Sequence, residues 1–459
     1  MLSRTRPSVR FQPSLAFVLL MTLLATLWFA GGASRGDVLG QVVVRAVAWS
    51  MLLLFFLFGE RTSPVSRPVL LLAVAGLAIV LMQLIPLPPT LWQALPGRVM
   101  LSQAAMVAGE PQPWRSMSNV PGATVNAAYS LVVPFAILLM VSGLSEAERR
   151  WLPGVVLILV VLSGLIGLVQ FAGVTINNPL VNDSVGKVSG TFANRNHFAV
   201  LIAFGCVIAP AWAFPANRAA GWRVPVSIGL ILLFALTILA SGSRAGILVG
   251  FLAIVLGLVS ARSGIRRTLG RYPRWVSWTL VAGILVAVVS TVLLSVAAGR
   301  AISIDRALVD EAGQDMRIRG LPVIWTMIGS YFPWGSGLGA FEPMFRMNEP
   351  FQLLKPTYFN HAHNDWLEIV VDAGLPGIVL LATAVAWWAW ASFQAWWTLP
   401  QRQDAAPRLG SAILLLVMIA SVFDYPARTP MIMAMVTLAA IWLSERRGTL
   451  ALPAASQHL

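Results

Sequence analysis

What most limits the fold of this chain is a repeat of length: apolar runs of roughly 16 to 24 residues recur along nearly all of its 459 residues, and a bilayer-crossing helix needs about 20. Composition agrees. Hydrophobic residues make up 58% and charged residues 11%, with a mean hydropathy of +0.78. A soluble domain carries about 25% charged residues, so a soluble globular fold is excluded. The runs predict an all-α, polytopic transmembrane protein of about 12 spans. They fall near 14–30, 38–58, 69–85, 127–143, 152–174, 197–214, 224–240, 245–261, 276–298, 366–388, 409–423 and 431–444. Organisation follows: spans one to nine within 1–298, a large hydrophilic loop at 299–364, spans ten to twelve within 365–447, and a short tail at 448–459.

Net charge is +14, and arginine supplies nearly all of it, since Lys187 and Lys355 are the only lysines. With the N-terminus in the cytoplasm, every cytoplasmic loop carries basic residues, among them Arg61, Arg67, Arg149, Arg150, Arg402 and Arg408. That bias is the positive-inside rule, and it puts both ends inside and the 299–364 loop outside. No basic stripe with interleaved aromatics occurs, so nucleic acid is not an expected partner. Membrane lipids are. Arg4, Arg6 and Arg10 before the first apolar run resemble a signal peptide, but the many later spans favour an uncleaved first span. The single cysteine, Cys206, allows neither a disulfide framework nor a thiolate metal site within one chain.

Three outer segments stand out. Residues 86–126 open with Pro86-Leu87-Pro88-Pro89, which excludes a regular helix and suggests a re-entrant or interface-lying segment. Residues 175–196 end in a polar cluster, Asn194-Arg195-Asn196-His197, at the start of a span. The large loop contains Arg317, Arg319 and the glycine run Gly335-Ser336-Gly337-Leu338-Gly339, which is either a phosphate-cradling loop or a turn.

The densest chemistry lies at 360–378. Two of the four histidines, His361 and His363, and three acids, Asp365, Glu368 and Asp372, fall within twelve positions. His363 is a candidate general base, because imidazole titrates near neutral pH. Asp365-x-x-Glu368 has the spacing of a helix capping box. A metal site of His361, His363, Asp365 and Glu368 is chemically conceivable, but no clear metal-ligand spacing appears and no metal is assigned. Gly374-Leu375-Pro376-Gly377 should break or kink the following helix. Arg244, in a short turn between two spans, either serves a ligand or snorkels to headgroups. Arg195, Arg244, Arg317 and Arg319 share the outer side, and arginine forks suit phosphate oxygens.

At this point a resemblance emerges. His363-Asn364, nine residues, then Gly374-Leu375-Pro376-Gly377 resembles the H-[N/S/Q]-x9-G-x-x-G signature of the bacterial O-antigen ligase and polymerase family. Supporting stretches run in order along the chain: 83–89, 190–197, 241–246, 333–339 and 423–430. The resemblance implies an inner-membrane glycosyltransferase acting at the periplasmic face, without metal, cofactor or nucleotide sugar. Its donor would be a glycan on undecaprenyl diphosphate. Its acceptor would be a hydroxyl of lipid A core, of another lipid-linked glycan or of a protein. His363 would activate the acceptor, with Asn364, Asp365, Glu368, Gly374 and Gly377 in support. Arg244 would hold the diphosphate with Arg317 or Arg319. The family places that loop arginine shortly before a Leu/Ile-Trp pair, whereas Arg319 stands six residues before Trp325. A transporter of a lipid-linked or other anionic substrate is the rival expectation, since twelve spans is a common transporter count. Transporters, however, collect polar residues near the midplane, and here they gather at the outer boundary.

Overall fold

The structure, a computed structural model, describes residues 12–182, 186–214, 221–270, 316–354, 359–398 and 405–445, together with 273 and 275. The first half runs α1 (Leu15–Ala30), α2 (Leu39–Phe58), α3 (Arg67–Leu84), α4 (Pro89–Trp92), α5 (Val99–Val107), α6 (Pro121–Ser130), α7 (Val132–Ser142), α8 (Glu146–Arg149) and α9 (Leu152–Phe171). It continues through α10 (Arg195–Ala213), α11 (Arg223–Ala240), α12 (Arg244–Leu269), α13 (Met316–Arg319), α14 (Leu321–Tyr331), α15 (Phe341–Asn348), α16 (Asp365–Phe393), α17 (Ala406–Phe423) and α18 (Pro430–Ser444). Among the described residues the only sheet is a two-residue ribbon, β1 (Pro86–Leu87) antiparallel to β2 (Arg115–Ser116). The fold is all-α and polytopic.

Among the described residues, nine helical stretches are long and apolar enough to cross a membrane. α1 and α18 are apolar but have 16 and 15 residues, about 24 Å or less, short of a core about 30 Å thick. The expected count of twelve is therefore not reached: nine qualify, two are short, and the run at 276–298 lies outside the described residues. Burial accounts for the short pair. α18 is enclosed by neighbouring helices, and α1 turns Leu19, Leu20, Leu23, Leu24 and Leu27 into the core, so protein rather than lipid sets their required length.

α10 forms the centre, with 83% of its apolar window buried, against 28% for α2 and 17% for α3. Small residues make this possible. A Cβ at Gly205 would stand 2.5 Å from Phe234 of α11 and 2.7 Å from Val160 of α9, and one at Gly246 would stand 2.6 Å from Ala199. Close approach of this kind is how helices associate where apolar surface gains nothing over lipid.

The polar segments 86–120 and 333–341 fold against each other and against α16. As its prolines lead one to expect, segment 86–120 forms no single regular helix and is divided into α4, α5 and the ribbon. Trp92 is buried and donates to the Pro113 carbonyl at 2.8 Å. The 333–341 run is a turn, not a phosphate cradle, since its N–H groups are used within the chain. Ser336 donates to the Val371 carbonyl at 2.8 Å and Gly337 to the Asp372 carbonyl at 2.9 Å. Leu338 donates to Gln83 Oε1 at 2.8 Å, and the same amide donates from Nε2 to the Asp372 carbonyl at 2.9 Å.

These bonds clamp α16 where it breaks. Gly374 has φ 56° and ψ −138°, which a side chain adopts only under strain, and a Cβ there would lie 2.1 Å from the Pro333 carbonyl oxygen. Gly374→Ala should therefore lower stability by at least about 1–3 kcal/mol from backbone strain alone. Gly154→Ala, at a helical site with open space around it, should leave the thermal midpoint in detergent within error of the parent. Equal midpoints for the two variants would contradict this account of the break.

Candidate functional site

One end of the bundle collects the polar side chains. The starts of α10, α12 and α16, the end of α17 and the loop 424–429 all meet there. Asp424 lies at the centre, 2% exposed. His363 Nδ1 faces its Oδ1 at 3.1 Å. Asn194 and Asn196 both donate side-chain N–H groups to its Oδ2, the former at 3.2 Å. The Tyr425 backbone N–H donates to Oδ1 at 3.1 Å, and Arg317 Nη2 stands 3.7 Å from Oδ2. His197 Nε2, at 3.8 Å, is beyond hydrogen-bond length and acts through its polarity or charge.

Burial alone would raise the Asp424 carboxyl, but His197 and His363 outweigh it and hold the group well below the usual carboxylate range. The carboxylate is therefore ionised. An ionised carboxylate at Nδ1 selects the His363 tautomer that carries its proton on Nδ1, leaving Nε2 as the basic nitrogen. Aromatic rings fix the imidazole plane: Phe359 lies 5.2 Å from it and Tyr425 4.8 Å, the latter edge-on. His363 also has φ 51°, the only non-glycine positive φ among the described residues. Such strain persists only where surrounding contacts over-determine it. Burial and the Asp424 charge push the Tyr425 phenol above its ordinary range, and its hydroxyl reaches the Asn360 and Asn194 amides.

A second cluster underlies the first. Arg428 binds Asp365 Oδ1 through Nε at 3.0 Å and Glu368 Oε1 through Nη1 at 3.1 Å, with Asp372 Oδ2 at 3.9 Å. Glu368 also takes His361 Nδ1 at 2.8 Å and the Ala362 N–H at 2.7 Å. The capping reading of Asp365 and Glu368 is thereby corrected. Asn364 is the cap, its Oδ1 accepting from the Leu367 N–H at 3.1 Å, which leaves both carboxylates free for Arg428. Burial works against the Arg428 charge, but Glu368, Asp365 and Asp372 outweigh it and push the group further above the ordinary arginine range.

The expected cations divide. Arg317 reaches the Asp424 cluster and donates to the Phe423 carbonyl at 3.1 Å, whereas Arg319 turns to the Gln352 carbonyl at 3.1 Å. Arg195 and Arg244 are the first residues of α10 and α12, whose opening turns pack together through Ala199 and Gly246. Arg244 is exposed, and Ser243 caps its helix. Gly374 forms the break of α16, and Gly377 packs one turn later on Ile369. Beside Asp424 opens a cleft of about 90 Å³, lined on one side by Arg35, Ser34 and Asn182 and on the other by Asn194, His197, Asn360 and Tyr425.

Sequence reasoning missed Asp424, Tyr425 and Arg428 as site members. Their signal was a charged, aromatic stretch, 423–430, breaking an otherwise apolar C-terminal region. It also left His197 and Asn196 as helix-start residues, although Asn194 does cap α10 by accepting from the Asn196 N–H at 2.8 Å.

Two measurements check these clusters. A depressed carboxyl contributes stability that is present above its unfolded pKa, about 4, and is lost as pH falls through the folded value. Thermal midpoints from pH 7 to pH 3 should thus fall below about pH 4 in the parent, and Asp424→Asn should flatten that limb. Arg428→Gln leaves buried carboxylates uncompensated and should cost about 3–5 kcal/mol, with Arg428→Lys intermediate.

Comparison with known proteins gives one family: residues 228–382 match the family model described as O-antigen ligase. No curated protein matches the chain. The matched segment runs from α11 into α16 and contains Arg244, Arg317, His363, the acids of α16 and the Gly374 break. Over that segment, about a third of the chain, the protein is similar to the O-antigen ligases, and its long apolar helices make it a polytopic membrane protein.

Proposed function

We propose that the protein transfers a glycan from undecaprenyl diphosphate to an acceptor hydroxyl at the periplasmic face of the inner membrane. The observation that carries this reading is the contact of His363 Nδ1 with the ionised Asp424 at 3.1 Å, at the end of the bundle where Arg317 and Arg244 also lie. Displacing a diphosphate from an anomeric carbon needs a base for the acceptor proton and cations for the charge growing on the leaving oxygens. His363 Nε2 takes the proton. Asp424 keeps the ring in the right tautomer and orientation and stabilises the imidazolium that forms, as a carboxylate does behind a catalytic histidine. Arg244 and Arg317 hold the diphosphate, with Arg195 at the neighbouring helix start, and Arg319 stands outside because its guanidinium is directed to Gln352.

The reaction is a single displacement with inversion, and fixed arginines supply the charge stabilisation that some glycosyltransferases draw from a divalent ion. The cleft lined by Asn194, Asn360, His197 and Tyr425 suits the edge of a sugar, with donors and acceptors around one aromatic ring. Ligase and polymerase chemistry share these steps and differ in which hydroxyl the cleft admits.

The test is transfer from a purified undecaprenyl-diphosphate glycan in detergent. His363→Ala should lower turnover by about 10²–10⁴-fold, the usual contribution of a general base. Arg244→Ala and Arg317→Ala should raise KM for the donor more than Arg319→Ala does. Full turnover by His363→Ala would remove the assignment, and movement of intact donor across vesicles without joining to an acceptor would replace transfer with transport.

A further inference from the structure

Arg45 belongs to neither cluster. It lies six residues into α2, about 9 Å along the helix from Leu39, inside a stretch apolar enough to cross a membrane. Helical side chains lean toward the N-terminus of their helix, and this one does. Its Nη2 donates to Gln41 Oε1 one turn back at 3.4 Å, and its Nη1 donates to Asn126 Oδ1 of α6 at 2.7 Å. Gln41 is 3% exposed, and its Nε2 donates to the Ala33 carbonyl at 2.7 Å, which turns the oxygen toward Arg45.

The two acceptors are neutral, and among the described residues no carboxylate pairs with Arg45. Two of five guanidinium donors are used, and the buried Nε has no partner. An arginine at this depth without a counter-charge is costly, and such residues usually serve a ligand. The start of α2 belongs to the same end of the bundle as Asp424, since Gly40 bonds to Leu180 and the 31–33 turn bonds to Met431 and Ala193. Arg45 itself is half-buried, and nearby Trp49 and Tyr129 are more than half exposed, rings of the kind that settle at a membrane interface.

We propose that Arg45, oriented by Gln41 and Asn126, binds a lipid phosphate from the bilayer. The second N–H groups of Nη1 and Nη2 meet phosphate oxygens, supplying the missing negative charge as a fork that lysine cannot reproduce. The phosphate comes either from an anionic glycerophospholipid or from an isoprenyl diphosphate, and either would dock without any glycan transfer.

Native mass spectrometry of the full chain in mild detergent, titrated separately with phosphatidylglycerol and farnesyl diphosphate, tests this. Arg45→Gln should bind at least one of the two about tenfold more weakly, or weaker still, roughly the effect of losing one charge-assisted hydrogen bond, and Arg45→Lys should fall between. Loss for phosphatidylglycerol alone identifies a headgroup, loss for farnesyl diphosphate alone identifies the isoprenyl carrier, and loss of both supports a site open to either. Unchanged binding of both lipids by Arg45→Gln overturns the proposal. Should that variant fail to fold, Arg45→Lys is read alone: weaker binding supports the site, and unchanged binding of both lipids overturns it.

Discussion

Three carboxylates and one guanidinium organise the polar end of this molecule. Asp365, Glu368 and Asp372 follow one another at helical spacing on a single face of α16, and Glu368 and Asp372 have no exposure to solvent. Unpaired, such charges would not stay in an apolar bundle. Arg428 enters from the loop before α18 and meets all three, with His361 sharing Glu368 Oε1 and Ser421 donating to Asp365 Oδ2. The pairing also decides the position of the residues just before Arg428. Held four and three positions upstream, Asp424 and Tyr425 are pressed against the 360–364 turn, so that one tyrosine ring lies within 5 Å of three imidazoles. The contact that orients His363 is in this sense a product of the charge pairing beneath it.

The break of α16 is held mainly by backbone groups, with the Gly339 N–H also donating to Asp372 Oδ2 at 3.1 Å. Pro333, Gly335 and Gly337 approach the helix break so closely that only glycine fits at 335 and 374. Gln83, from the end of a membrane helix, spans the gap with both ends of its amide. These polar segments are thus fastened to the helix that carries the acids and, at its N-cap, adjoins His363.

Much of this was legible in the sequence, for identifiable reasons. Lipid forces long apolar runs, so the helices are visible within a few residues of their ends. The break at Gly374 is visible because only a few residue types permit it. The central place of α10 was not legible, since a helix buried all round loses the periodicity that would reveal a face. Asp365 and Glu368 have a capping spacing, yet the cap falls one residue earlier, on Asn364, and their tie to Arg428 spans about sixty positions that no local pattern relates. Arg317 and Arg319 differ by two residues, about 200° around a helix. They point apart for that reason, and only the fold decides which of them meets Asp424.

The oxygens of Asp424 are held by Asn194 and Asn196, Arg317 and His363, residues spread from the middle of the chain onward, and Asp424 itself arrives only with the last pair of helices. A chain still being made therefore has its histidine without the carboxylate that orients it, and its acidic helix without a counter-ion. Membrane insertion of α17 and α18 is the event that completes the site. A chain that stops before Asp424 lacks this arrangement of groups around His363.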